Sequence, residues 1–267
     1  MQVKNKTIIV TGAGNGIGRE VALQLLSKGA KVAAVDVKEE FLKETLSLAG
    51  SNAASMSIHA LDITNMDALN ALPEKVIAIH GHIDGLMNIA GIIQPFVRFN
   101  DLDEKIVERV MNVNFFGPLH LTKIVLPYLL KRPEGHILNV SSMGGFLPVP
   151  GQTIYGASKA ALKLFTEGLN AELSTSKVGV SIVFPGGVGT NITKNSNVEI
   201  KGMSDAQISQ VKMVTAQKAA SIMIEGIEKN KFRILIGQDA KFMDFLCRLA
   251  PTYAKDFIRK KMAFLLD

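Results

Sequence analysis

Three sets of residues in this chain have types and spacings that could do chemistry. The first is Thr11-Gly12-Ala13-Gly14-Asn15-Gly16-Ile17-Gly18, which joins a short apolar run to a helical pattern. Glycines let a backbone approach a pyrophosphate, and a helix N-terminus adds unpaired N–H groups and the positive end of its dipole. A tight strand-to-helix turn would also use glycines, but four of them within seven residues at this junction favour phosphate binding. The second is Asp36, which ends Lys31-Val32-Ala33-Ala34-Val35-Asp36 and lies 18 residues beyond Gly18. A carboxylate there can accept hydrogen bonds from adenosine ribose hydroxyls and would repel a 2′-phosphate. Alone it could be an ordinary solvated aspartate; with the glycine turn it favours NAD over NADP. The third is Tyr155-Gly156-Ala157-Ser158-Lys159, with Ser142 thirteen residues ahead of the tyrosine. Tyr and Lys at i and i+4 share one helical face. A phenol can act as acid or base near neutral pH if a cation stabilises its phenolate, and a neighbouring hydroxyl can polarise a carbonyl. Taken singly, the pair could be chance on an amphipathic helix and the serine a turn former.

The elements that must position these residues alternate. Apolar runs at Thr7–Val10, Lys31–Asp36, Ser55–Leu61, Ile83–Asn88, Gly135–Ser141, Gly179–Phe184 and Phe232–Gly237 read as strands. They are continuous, as in strands buried on both faces of a parallel sheet. Helical patterns fall between them at Ile17–Lys28, Glu39–Leu48, Met66–His80, Asp101–Leu130, Thr153–Thr175 and Thr215–Lys229. This order predicts a single α/β domain over residues 1–267, with a Rossmann-like, doubly wound, seven-stranded parallel sheet and helices on both faces. Two regions break the rhythm: a long polar connection at 187–214, expected to be a substrate lid, and a basic, Phe-rich tail at 240–267, broken by Pro251.

Composition narrows the function classes. With 47% hydrophobic residues and 20% charged ones, the chain can bury enough surface to fold, so disorder is excluded. The lone Cys247 cannot form an internal disulfide, which suits a reducing, cytoplasmic setting. There is no apolar run long enough for a membrane span and no leader-like opening. His59, His80, His82, His120 and His136 lack metal-ligand spacing, so no metal is expected. The net charge of +6 is unevenly placed: residues 1–200 hold 18 Lys+Arg against 17 Asp+Glu, and residues 201–267 hold 12 against 7. With no Trp and three Tyr, little is available for stacking bases, so no nucleic-acid partner is expected.

Taken together, these residues resemble the short-chain dehydrogenase/reductase family in its common single-domain type, from residue 5 to about residue 237. The glycine turn and Asp36 carry the resemblance, with Asp62 in Leu61-Asp62-Ile63, Asn88-Ile89-Ala90-Gly91, Asn114, Ser142, Tyr155, Lys159 and Pro185-Gly186-Gly187-Val188-Gly189-Thr190. The resemblance implies an NAD(H)-dependent oxidoreductase that interconverts a secondary alcohol and a ketone. Tyr155 would be the proton donor or acceptor, Lys159 would lower its pKa and bind the nicotinamide ribose, and Ser142 would hold the substrate oxygen. Asn114 would keep a water-linked proton path to Lys159. Cofactor contacts would come from Gly12, Asn15, Gly16, Ile17, Gly18, Asp36, Asp62, Ile63, Asn88, Ala90, Gly91, Tyr155, Lys159, Pro185, Gly186, Val188 and Thr190. The family usually has a second Asn where Ile89 stands, so local repacking without loss of activity is expected. A non-catalytic dinucleotide-binding or scaffold protein of the same fold is the alternative from another class.

Substrate and partners are less constrained. Phe146, Leu147, Val149 and Pro150 could wall an apolar substrate pocket or pack as an ordinary hydrophobic loop; the first reading leans toward a lipophilic substrate. Apolar residues on more than one face of the patterns at Asp101–Leu130 and Thr153–Thr175 point to a homodimer or homotetramer. In the tail, six cations between residues 241 and 263 face Asp244 and Asp256, with Phe242, Phe245, Leu246 and Leu249 at helical spacing. The preferred reading packs these aromatics on the substrate cleft or a partner subunit. The other lays a basic amphipathic segment in an anionic membrane surface.

Overall fold

A computed structural model of the protein describes residues 1–190, 192–196, 198 and 213–266. The strands are β1 (Thr7–Thr11), β2 (Lys31–Asp36), β3 (Met56–Ala60), β4 (Gly85–Asn88), β5 (Gly135–Val140), β6 (Val178–Pro185), β7 (Val188–Gly189), β8 (Val214–Thr215) and β9 (Arg233–Ile236). Seven of them form one sheet in the order β3-β2-β1-β4-β5-β6-β9, parallel throughout. Successive strand side chains alternate between two cores. Ile8 and Val10 pack on one face with Val21 and Leu25 of α1 (Gly16–Ser27), Leu42 of α2 (Glu39–Leu48) and Met223 and Ile224 of α8 (Ala216–Glu228). Ile9 and Val35 pack on the other with Leu69 and Leu72 of α3 (Met66–His80), Leu121 and Val125 of α5 (Gly117–Leu130) and Leu169 of α6 (Thr153–Glu172). Burial on both faces is why the strands read as unbroken apolar runs.

The chain starts in the middle of the sheet, builds outward through β2 and β3, then returns to lay β4 on the other side of β1. The connections leaving β1 and β4 therefore diverge, and a crevice opens at the carboxyl ends of these strands. At the opposite edge, the fully buried Asp84 accepts from Thr7 N at 3.0 Å and pairs with Arg132 at 2.7 Å and His82 at 3.0 Å.

The helical pattern expected over Asp101–Leu130 is not one regular helix. A short turn at Phe99–Asp101 precedes α4 (Glu104–Met111), and a π-turn at Asn112–Phe116 separates α4 from α5. Pro118 has no N–H to give the Asn114 carbonyl, so an α-helical ladder cannot run through this point. Gly117 N bonds Asn112 O instead. Of the 187–214 connection, β7 and β8 pair as a short parallel ladder at its ends and α7 (Ile192–Asn195) follows β7; residues 191, 197 and 199–212 lie outside the described residues. The tail forms two helices, α9 (Gln238–Leu249) and α10 (Pro251–Lys261), with Pro251 at the start of the second. No helix among the described residues is long and apolar enough to cross a membrane.

Candidate active site

At the end of β1, Gly12 and Gly16 adopt φ of +70° and +53°, the left-handed region that glycine enters without steric cost. The turn is also too crowded for side chains. A Cβ on Gly14 would lie 2.7 Å from Phe41 Cβ, and one on Gly18 would overlap the Gly12 carbonyl. Asn15 precedes α1 and accepts from Gly16 N at 2.6 Å. A ring of side chains invisible to motif reading holds the turn. Arg19 donates to Gly14 O at 2.9 and 2.6 Å and pairs with Glu44 at 2.6 Å, while Thr45 Oγ1 donates to Ala13 O at 3.0 Å.

Asp36 stands beside this turn. Its carboxylate accepts from Gly14 N at 3.0 Å and Lys38 N at 3.1 Å, so it buttresses the turn while still lining the cleft. Asp62 accepts from Thr64 N at 2.8 Å in a local turn. Ile63 lies behind it against Gly117. Thr11 Oγ1 accepts from Ile89 N at 3.0 Å and Ala90 N at 3.2 Å, tying β1 to the segment after β4. Ile89 packs its side chain against the first core, the repacking expected where the family has Asn.

At the other end of the cleft, the Ser142 hydroxyl, which accepts from Gly144 N at 3.0 Å, lies near the Tyr155 ring. Burial pushes the Tyr155 phenol above its ordinary pKa, and the nearby Ser142 hydroxyl opposes this more weakly. Lys159 is one turn further along α6, buried, with Nζ on Val140 O at 3.0 Å. Desolvation lowers its pKa to about 8. The expected lowering of the tyrosine pKa by Lys159 is not among the causes acting on Tyr155 here, where burial dominates.

Two buried amides fix this end. Asn114, in the π-turn, accepts from Ile92 N and donates to Ile92 O, both at 2.9 Å, and donates to Ser158 Oγ at 3.1 Å. Its side chain sits behind the cleft wall, close to the Lys159 ammonium at Gly91. Gln94 accepts from Ile154 N at 2.8 Å and Tyr155 N at 2.9 Å, and donates to Gly151 O at 3.0 Å. The first N–H groups of a helix have no intrahelical partner, and the residue before α6 supplies no side-chain cap. Gln94 therefore caps, from about sixty residues away, the helix that carries both Tyr155 and Lys159. Gln152 returns the contact, donating to Gln94 O at 2.7 Å.

One cleft of about 720 Å³ joins the two ends. It brings together Gly12, Asn15, Gly16, Ile17, Gly18, Asp36, Asp62, Ile63, Ala90, Gly91, Ser142, Tyr155, Lys159, Pro185, Gly186, Val188 and Thr190. Asn88 does not reach it: its amide is buried between Asn139, at 2.8 Å, and Thr122, at 3.2 Å. The loop after Ser142 does not wall the cleft either. Leu147 is buried against Met243, Ala254 and Ile258 of the tail, and Phe146 lies on Phe184. The apolar wall near Tyr155 comes from Ile92, Ile93 and Ile192 instead. None of the tail's described residues lines the cleft, which removes the cleft half of the preferred reading and does not bear on its partner-subunit half. Asp239 of α9 nonetheless accepts from Gly187 N at 2.7 Å, and a Cβ on Gly186 would overlap its carboxylate. Among the described residues no cluster of three metal-ligating side chains occurs.

A dinucleotide fits these residues. The glycine cradle is one a Cβ would fill, a helix N-terminus faces the middle of the cleft, and a carboxylate and a buried ammonium stand at opposite ends. Known proteins agree. A family model described as short chain dehydrogenase matches residues 6–201. SadH of Mycobacterium tuberculosis, described as an oxidoreductase, is 33% identical over 252 residues, covering 92% of this chain and 91% of its own length. Dehydrogenase/reductase SDR family member 7B of Xenopus tropicalis is 30% identical over 268 residues, covering 96% and 85%. A short chain dehydrogenase/reductase from Burkholderia phymatum in complex with NAD superposes with a TM-score of 0.83 at 25% identity, over 93% of this chain and 96% of that one. A short chain dehydrogenase from Burkholderia cenocepacia in complex with NADP gives 0.80 at 25% identity, over 97% and 99%.

Proposed function

The chain belongs to the short-chain dehydrogenase family of oxidoreductases, and from that premise we propose that it uses NAD(H) to interconvert a secondary alcohol and a ketone in its cleft. The observation that carries this reading is the Ser142–Tyr155 hydroxyl pair beside a buried Lys159, on a helix whose start is fixed by Gln94.

Gly12, Gly16, Ile17 and Gly18 would hold the pyrophosphate, Asp36 the adenosine ribose, and Asp62, Ile63 and Ala90 the adenine side. Gly91, Lys159, Pro185, Gly186, Val188 and Thr190 would hold the nicotinamide side. When bound, the dinucleotide supplies the hydride or takes it up. Ser142 donates a hydrogen bond to the substrate oxygen and fixes its direction. In ketone reduction the Tyr155 O–H bond breaks and a new O–H bond forms on the substrate oxygen. Burial keeps the phenol protonated near neutral pH, the form that reduction needs. The phenolate left behind would regain its proton by way of the Lys159 ammonium, and Asn114 would orient a water leading from that ammonium to solvent. Alcohol oxidation runs the same transfer backward, so its rate should rise with pH while the rate of reduction falls.

Asp36 supports NAD over NADP, because its carboxylate would repel a 2′-phosphate. Arg19, the nearby arginine, is committed to Glu44 and Gly14 O. The apolar wall of Ile92, Ile93 and Ile192 supports a lipophilic substrate. A cytoplasmic location, one domain over 1–267 and a lid over 187–214 belong to the same reading. So does a homodimer or homotetramer paired through α5 and α6, whose Leu130 and Leu164 face outward. Absorbance at the NADH band across a panel of secondary alcohols and ketones tests the activity. Turnover of at least one pair is expected; tight NADH binding with no turnover of any member would favour the non-catalytic reading. Fluorescence titration with NADH and NADPH tests the cofactor: NADH should bind more tightly, with the gap narrowed in Asp36→Ala, and tighter NADPH binding would overturn the assignment.

A further inference from the structure

The outer face of the tail is apolar where its inner face is already used. Met243 of α9 and Ala254 and Ile258 of α10 are buried with Leu147. On the other side Phe242, Phe245 and Leu249 of α9 are 55%, 62% and 69% exposed, and Tyr253 of α10 is 63% exposed. Their spacing of three and four residues sets the α9 three in one stripe, and the exposed Tyr253 follows across the break at Ala250. Exposed cations flank it: Lys241 and Arg248 on α9, and Lys255, Arg259, Lys260 and Lys261 on α10. Of the three acids on these helices, Asp239 accepts from Gly187 N, Asp244 pairs with Arg233 and Arg248, and Asp256 lies near Lys255 and Arg259, so six cations against these three leave the face net positive.

We propose that α9 and α10 form a docking face for an anionic lipid surface, with the stripe dipping into the interfacial layer and the lysines and arginines meeting the headgroups. Charge decides between occupants. In a two-fold pairing of this face with a second copy, the cationic rim would meet itself, which is unfavourable. An anionic bilayer satisfies both parts of the patch: each basic residue near such a surface contributes about 1 kcal/mol, and the aromatics add burial. The face is also coupled to the cleft. Asp239, in the first turn of α9, holds Gly187 N, and Leu266 at the tail's end lies against Gly151, whose carbonyl Gln94 holds. That coupling rests on the reading of the cleft given above; the docking face does not.

Flotation of the full chain on phosphatidylcholine vesicles, with and without phosphatidylserine, tests the proposal. Binding is expected only with phosphatidylserine, and it should fall at least about tenfold at high salt. It should be abolished in Phe242→Ser/Phe245→Ser/Leu249→Ser and reduced at least about tenfold in Lys241→Glu/Lys260→Glu. Both variants should keep the wild-type NADH affinity and solution mass. Failure of the wild type to float at low salt would overturn the proposal. So would equal flotation of the lysine variant, which also serves if the serine variant misfolds, or a drop in oligomeric mass on serine substitution, which would make the stripe a subunit seam.

Discussion

At the glycine turn, main chain is held by charged side chains that reach the surface: Asp36 on Gly14 N, and Arg19 on Gly14 O and Glu44. At the tyrosine, main chain is held by neutral amides out of contact with water: Gln94 on Ile154 and Tyr155 N, and Asn114 on Ile92. The two ends of one cleft therefore solve different problems. A pyrophosphate needs a shape that only glycine permits, and long-range charge can stay outside it. A proton donor needs a phenol placed to within a fraction of an ångström and left protonated. Buried amides can do this because they fix geometry without adding charge that would move the pKa. Cofactor affinity should be sensitive to backbone shape at the first end, and turnover to hydrogen bonding at the second.

The largest separable effect is expected from Gly18→Ala. The new methyl would overlap the Gly12 carbonyl, a backbone atom that cannot swing aside. NADH affinity should fall by about 10²-fold or more, with overpacking costing on the order of 1–3 kcal/mol of stability. Calorimetric titration giving a Kd within twofold of the wild type would remove the shape argument. Gln94→Ala sharpens the other side. It leaves two N–H groups at the start of α6 without an acceptor, a cost of about 1–3 kcal/mol. The expected result is a kcat reduced about tenfold with NADH affinity nearly unchanged. Equal losses in both would mean that Gln94 merely supports the fold.

A smaller effect concerns the protonation of buried neutral groups. Burial lowers His136, on β5, to about 3, and burial aided by His80 and Lys75 lowers His59 to about 4. In the unfolded chain both would titrate near 6.5. Their contribution is therefore complete above that value and is lost as pH falls through the window toward the folded values. Each should remove on the order of 1–2 kcal/mol by about pH 5. Urea midpoints measured from pH 7 down to 5 should decline accordingly, and His136→Gln should flatten the decline. A midpoint that rises on acidification would contradict the assignment.

The contrast between the ends also explains what could be read from the chain alone. The glycine turn, Asp36 and the Tyr155–Lys159 pair are local: each lies within one turn or at one strand end, where residue type and spacing carry the information. The sheet was legible because burial on both faces writes itself as unbroken apolar runs. Gln94 was not, because an isolated glutamine between isoleucine and proline has no pattern, and its partners lie about sixty residues away. Arg19, Glu44 and Asp239 were hidden for the same reason. Asn88 is expected at the cleft because a motif gives the strand end but not the direction of the side chain, and the loop holding Leu147 reads equally as a pocket wall or as ordinary packing because an apolar run does not say what it packs against. The π-turn had a signal, Pro118 four residues after Asn114, in the middle of a strong helical pattern.

The most direct test is Tyr155→Phe, in which one oxygen is removed and the ring stays. With the panel substrate that the wild type turns over best, kcat and NADH affinity would be measured on the same preparation of each protein. Kd is expected to stay within about twofold, while kcat falls by roughly 10²–10⁴-fold, the contribution of a positioned acid or base. Near-normal turnover by Tyr155→Phe, or equal loss of turnover and cofactor affinity, would contradict the assignment of Tyr155 as the group that gives and takes the proton.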